Sequence, residues 1–188
     1  MSKDGKGDIT AELMILKSLE GAAFGAKLKE IAGRKEFHAL PESPFIYSIG
    51  GGNQLSCDTD YPSLMMAAQK AVEHGYCVFM LPNPHGVKTP DFIFERRGVY
   101  KLFDLKNISG KNIVHTRLKE SIAQANRALL NMPQYNTRKL VHDIRKYFVK
   151  YPDAIEVLIF KGKNEISVSR RFALSTRFYF EFKKMFEK

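Results

Sequence analysis

Cysteine is scarce in this chain: its 188 residues include two, Cys57 and Cys77. Two thiols cannot make a disulfide framework, and no CxxC or Cys/His spacing suggests structural zinc. Both are expected to stay reduced in a cytosol-like compartment. No apolar run approaches the roughly 20 residues that span a bilayer, and the opening MSKDGKGD has no signal-peptide core. The chain therefore reads as cytoplasmic as written, with no membrane partner. Internal repeats and low-complexity tracts are missing too. Gly50, Gly51 and Gly52 are not followed by GK[ST], so they read as a flexible connection and not a nucleotide loop. No GxSxG elbow supports a serine-hydrolase triad. Acidic residues are also in deficit, with 20 Asp and Glu against 30 Lys and Arg, a net charge of +10 and a pI near 9.6. Such a balance favours a polyanion partner, with solubility alone as the plainer alternative.

What is present is ordinary globular composition, 44% apolar and 27% charged, in a length suited to one domain. Residues 8–32 read as helical, with Asp8 as a cap, breaks at Gly21 and Gly25, and an end at Gly33. Residues 33–60 read as irregular, containing Pro41 and Pro44. A helix over 62–74 follows, with Leu64, Ala67, Ala68, Ala71 and Val72 on one face and a stop at Gly75. Tyr76–Pro82 reads as a buried strand. Residues 90–97 and 100–106 read as strands of a hairpin. A short helix over 117–126 would bury Leu118, Ile122 and Ala125, and residues 127–132 read as a fourth strand. Residues 136–151 suit an amphipathic helix, residues 154–169 two strands around a KGKN turn, and residues 175–188 a helix facing Phe178, Phe182, Met185 and Phe186 inward. This order predicts an α/β fold, a mixed central sheet flanked by helices. The predicted division is an N-terminal helical and irregular extension over 1–60 and an α/β domain over 61–188.

One feature does not suit a plain core. The strands in TPDFIFERRGVYKLFDLKN carry Asp91, Asp104 and Lys106 among large apolar residues. Alternation puts Asp104 and Lys106 on one face with Leu102, and Phe103 and Leu105 on the other. A strand apolar on both faces is a covered, central strand, where ionised groups must be paired, hydrated in a cleft or bound to metal. The hairpin is expected to bring Asp91 alongside the end of the third strand. Two carboxylates about 4 Å apart repel by on the order of 4 kcal/mol at an effective dielectric of roughly 20. A shared proton, a cation such as Lys106 or a divalent metal would relieve this. Oxygen ligands in a wet cleft suit Mg²⁺ or Mn²⁺. The plainer reading is a surface ion pair at a frayed strand end.

Pro90-Asp91 followed by Asp104-Leu105-Lys106 resembles the PD-(D/E)xK signature of the restriction-endonuclease-like nucleases. The element order from residue 62 to residue 132 matches that superfamily's core. GYCVFMLP, PDFIF, YKLFDLKN and QANRALLNM are more specifically similar to the C-terminal tRNA-nuclease toxin domains of CdiA-type contact-dependent inhibition proteins. The resemblance implies a restriction-endonuclease-like core with an added N-terminal helical segment and a C-terminal helix. It implies Asp91 and Asp104 as metal ligands, Lys106 as catalytic lysine, and Gln124 as a polar residue facing the site from the next helix. It also implies Mg²⁺ or Mn²⁺, with Zn²⁺ as a further option, RNA before DNA as substrate, an immunity protein as partner, and delivery into another cell. The early helix Glu found in many members is missing: Asp60 lies just before the helix, Glu73 near its end is expected to face solvent, and Glu12 is the further candidate ligand if the N-terminal helix packs over the site. His85 and His115 read as loop histidines or auxiliary phosphate contacts or bases. Lys111, Arg117, Lys119, Arg127, Arg138, Lys139, Arg145 and Lys146, interleaved with Tyr135 and Tyr147, suit a phosphate-tracking surface or a solvated helix face. Two further functions stay open: a non-catalytic nucleic-acid-binding module, and a protein-interaction domain of a toxin or mobile-element system.

Overall fold

The computed structural model describes residues 9–49, 60–82, 88–108, 114–131 and 135–188. Cys57, His85, Lys111 and the 50–52 glycines lie outside them. The chain forms two compact units, Met1–Leu102 and Phe103–Lys188. Each contains helices and strands, and the α/β class of the chain is as the element order predicts.

In the first unit, helices α1 (Thr10–Leu16) and α2 (Gly21–Ala32) precede strands β1 (Phe37–Leu40) and β2 (Ser43–Ile49). Helix α3 (Tyr61–Glu73), strand β3 (Cys77–Met80) and strand β4 (Phe92–Arg96) follow. Strands β1 and β2 pair antiparallel, β2 and β3 parallel, and β3 and β4 antiparallel. The strands at 37–49 replace the irregular stretch expected there. Pro41 and Pro44 mask a strand signal, but they fall at the turn and at the second residue of β2, where a missing N–H is tolerated. Gly25 lies inside α2 and does not break it, since one interior glycine costs only about 1 kcal/mol against alanine. Helix α3 packs on β2 and β3, burying Met65, Ala67, Ala68 and Ala71. Arg97 and Gly98, with φ of 55° and 78°, make the two-residue turn that leads into β5 (Val99–Asn107).

The second unit begins within β5. It continues through α4 (Val114–Ser121), β6 (Arg127–Asn131), α5 (Thr137–Lys150), β7 (Glu156–Lys161), β8 (Asn164–Ser169), α6 (Arg170–Ala173) and α7 (Phe178–Phe186). Strands β5, β6 and β7 run parallel, and β8 closes antiparallel on β7. The Asn136 side chain caps α5 by accepting from the Lys139 N–H at 3.0 Å. Ala128, Leu130, Val157, Ile159, Ile166 and Val168 share one sheet face with Leu118 of α4, Leu140, Ile144 and Tyr147 of α5, and Phe178 and Phe182 of α7 in one core. Each large apolar side chain buried there contributes about 1.5–3 kcal/mol. The helix expected at 175–188 is present as the shorter α7, with Phe178, Phe182 and Phe186 buried as anticipated, and α6 is an additional short helix before it.

Candidate functional site

The site is built on strand β5. In its parallel pairing with β6, Asp104 stands opposite Ala128 and Lys106 opposite Leu130. Residues in register share a face, so both ionic side chains project toward the core that α4 and α5 cover. Leu105 stands in register with Leu129, and Leu129 with Leu158, on the opposite face. Asp104 is 1% exposed and Lys106 8%. Lys106 Nζ lies 2.7 Å from Asp104 Oδ2. This is a buried pair, not the exposed pair at a frayed strand end that the plainer reading allowed. Removing one partner of such a pair leaves a charge that the interior cannot solvate, whereas an apolar pair would fit the same place at little or no cost. The pair is therefore an unusual use of a core position.

Around it lies a set of polar groups that the strand motif does not announce. Asp143, Tyr147 and Tyr151 recur every four residues along and just past α5, which puts them on one helix face. Tyr147 is fully buried and Asp143 5% exposed. The Tyr147 and Tyr151 rings are 5.6 Å apart, and the His115 ring of α4 is 6.5 Å from that of Tyr151. The Tyr147 and Tyr151 hydroxyls, His115 Nε2 and Asp143 Oδ2 are buried without a protein hydrogen-bond partner. Burial pushes the Tyr147 phenol well above its ordinary value, and the Asp104 carboxylate and Tyr151 add to this. Burial also depresses the His115 imidazole. The Lys146 ammonium depresses it further, Asp143 opposes this, and Lys150 and Lys119 contribute less. The stripe is legible afterwards in HDIRKYFVKY, as polar and aromatic residues at a spacing of four within an apolar face.

Other predicted residues are placed as follows. Asp91 precedes β4 in the first unit and is half-buried; its carbonyl accepts the Leu81 N–H at 2.9 Å. Gln124 is not on a helix. Helix α4 ends at Ser121, and Gln124 sits in the turn beyond, its N–H donating to the Ser121 carbonyl at 2.8 Å. His115, expected in a loop, is in the first turn of α4. Glu12, the alternative metal ligand, is held by Arg34 and by Lys27 at 3.7 Å, while Asp60 and Glu73 are exposed.

The basic residues divide. Lys119, Arg138, Lys139 and Lys146 are exposed, and Lys139 lies over the Tyr135 ring at 5.6 Å. Arg117 pairs with Glu120 at 2.9 Å. Two residues expected on the phosphate-tracking surface are structural instead. Arg127 pairs with Glu156 at 3.2 Å, with Ser167 donating to the same carboxylate at 2.6 Å. Arg145 donates to the carbonyls of Ala173 and Ser175 at 3.0 and 2.7 Å. Cys77 is free, and burial, with Glu95, pushes its thiol up, which disfavours the reactive thiolate.

No protein-family model matches this sequence, and no curated protein does. Among solved structures, the chain is similar to one in the CdiA-CT/CdiI toxin and immunity complex from Burkholderia pseudomallei. The TM-score is 0.40 and the identity 17%, over 58% of this chain and 84% of that one. No helix among the described residues is long and apolar enough to cross a membrane.

Proposed function

We propose that this chain is a metal-dependent nuclease of the PD-(D/E)xK kind, acting on RNA such as tRNA. The observation that supports this reading is the Asp104–Lys106 pair, set on a helix-covered sheet face where folding alone favours apolar side chains. The restriction-endonuclease-like core, and Asp91 as a second carboxylate, enter the proposal through the sequence pattern. Magnesium keeps several waters and needs only one or two carboxylates, so the oxygen donors Asp104 and Asp91 are of the kind that would hold Mg²⁺ or Mn²⁺. Zinc prefers nitrogen and sulfur and suits these two oxygen donors less; among the described residues no group of three or more His, Cys, Asp or Glu is placed to hold any metal, magnesium included.

When bound, the cation supplies charge stabilisation at a phosphoryl oxygen and a more acidic water. The chain's own contribution is positional. Lys106 neutralises and orients Asp104, and its ammonium is a donor for charge developing on a phosphodiester oxygen. His115, whose imidazole burial makes less basic, can accept a proton in its neutral form, while burial keeps the Tyr147 phenol protonated and able to donate a hydrogen bond. An effector role in a toxin system, with an immunity protein as partner and delivery into another cell, belongs to the same proposal and rests on the sequence resemblance.

Incubation with tRNA, single-stranded RNA and duplex DNA, in Mg²⁺, Mn²⁺ or chelator, should give chelator-sensitive cleavage of RNA. Asp91→Ala and Asp104→Asn should abolish it while far-UV circular dichroism stays unchanged. Cleavage that survives both substitutions refutes the assignment. The second reading, a binding module without catalysis, is favoured by the 1% exposure of Asp104 and its compensation by Lys106. Under it, RNA binds uncleaved, and Asp104→Asn binds no more weakly than the parent. A protein-interaction domain, the third reading, would show neither effect.

A further inference from the structure

Within the second unit, a cleft of about 350 Å³ opens between α6 and the start of α7, lined by Ser169, Arg171, Phe172, Ser175, Thr176, Arg177 and Glu181. This is the size of cavity that takes a small ligand. Its chemistry is uneven. Adjacent Arg170 and Arg171 have opposite fates: Arg170 turns inward to the carbonyls of Phe148 and Tyr151, whereas Arg171 is exposed. Arg177, also exposed, is the cap residue of α7, and no side chain caps that helix end. Arg171, Arg177 and the N-terminal end of a nine-residue helix thus line one opening. The Ser175 hydroxyl beside them is buried and has no hydrogen-bond partner.

Two exposed apolar side chains lie near this lining along the chain without being part of it. Phe180 is 73% exposed and Leu174 42%. Phe180 follows Arg177 by three residues and so stands on the same side of α7, one turn along. The neighbouring Phe178, Phe182 and Phe186 are all buried, so Phe180 is not part of the core stripe. The Phe172 ring is held edge-on against Phe178 at 5.0 Å, which fixes the aromatic wall of the cleft. Glu181 is the one acidic lining residue. It opposes an anion but can accept from the exocyclic amine of a base.

We infer that this cleft is a nucleotide-docking site for single-stranded nucleic acid, separate from Asp104 and Lys106. Arg171 and Arg177 hold a backbone phosphate, and Phe180 supplies the face on which a base stacks. Phosphate-binding guanidiniums beside an exposed aromatic ring are the pairing that single-strand binding uses, and the net charge of +10 suits a polyanion. The inference rests on the proposed action on nucleic acid and adds where the strand is held.

The test is fluorescence anisotropy with a short fluorescein-labelled single-stranded RNA in chelator, so that binding is read without cleavage. Single-stranded DNA and duplex DNA of the same sequence serve as competitors. Phe180→Ala should weaken RNA binding about tenfold, in line with base stacking on an aromatic side chain. Arg171→Ala/Arg177→Ala should weaken it further and lower the salt-dependence slope by about 0.7 for each phosphate that is no longer neutralised. The inference is overturned if the parent does not bind, if both variants bind like the parent with an unchanged salt slope, or if duplex DNA competes better than either single strand. Cleavage assays on the same proteins separate the two ideas. Cleft-dependent binding without cleavage removes the nuclease reading and keeps the docking site; cleavage with unchanged KM in both variants does the reverse.

Discussion

Lys106→Met removes the ammonium but keeps most of the side chain's length and volume, leaving the Asp104 carboxylate at 1% exposure without the cation 2.7 Å away. Breaking a buried pair from one side typically costs about 3–5 kcal/mol, because the remaining charge must be neutralised or hydrated. Asp104→Leu should cost a similar amount by stranding the ammonium. The double variant, Asp104→Leu with Lys106→Met, puts two apolar side chains beside Ala128, Leu130 and Tyr147, which already share that face. Its stability should return to within about 1 kcal/mol of the parent or exceed it, as apolar replacement of buried pairs does elsewhere. The chain has no tryptophan, so urea unfolding is best followed by far-UV circular dichroism. Hydrogen exchange should place the loss in the single variants within residues 103–188. The double variant should fold yet cleave nothing. The reasoning fails if the double variant is as unstable as the two single losses added together, since the pair then does not act as a unit.

Three other outcomes follow from the same region. The depressed His115 makes the unfolded state bind more protons as pH falls through about 6.5, so stability should drop there and level off below the folded value. His115→Gln should remove that slope, as read from urea midpoints across pH 5–7.5; an unchanged slope rules His115 out. Tyr147→Phe deletes a buried hydroxyl that has no protein partner, so it should leave stability unchanged or raise it by about 1 kcal/mol; a clear loss in a urea melt contradicts the geometry. Arg145→Ala should cost about 1.5–3 kcal/mol through the two carbonyls it leaves, with RNA binding unaffected, and a selective loss of binding would return Arg145 to the phosphate surface.

The periodic elements were readable from sequence. Helix α3, strand β6 and helix α5 fall within a residue or so of their expected ends, because amphipathic spacing and flanking glycine or proline define them. Strands β1 and β2 were hidden by two prolines placed where a strand tolerates them. Helix α4 begins three residues before the expected start and ends at Ser121, whose carbonyl takes the N–H groups of Gln124 and Ala125 in a closing turn. At the site, alternation put Asp104 and Lys106 on one face, but their depth depends on what α4 and α5 bring over them. Arg127 and Arg145 were misread because their partners lie 29 and 28 residues away in the chain. Local charge patterns carry no sign of a distant acceptor.

The described residues of 103–188 include two largely buried ion pairs, Asp104–Lys106 and Arg127–Glu156. Ion hydration becomes less favourable on warming, so the desolvation cost of each pair shrinks with heat while apolar burial gains little more per unit area. This part of the chain therefore gives up less of its stability on warming than an all-apolar version would. The double apolar variant, comparable or better at room temperature, should surrender that margin as the temperature climbs.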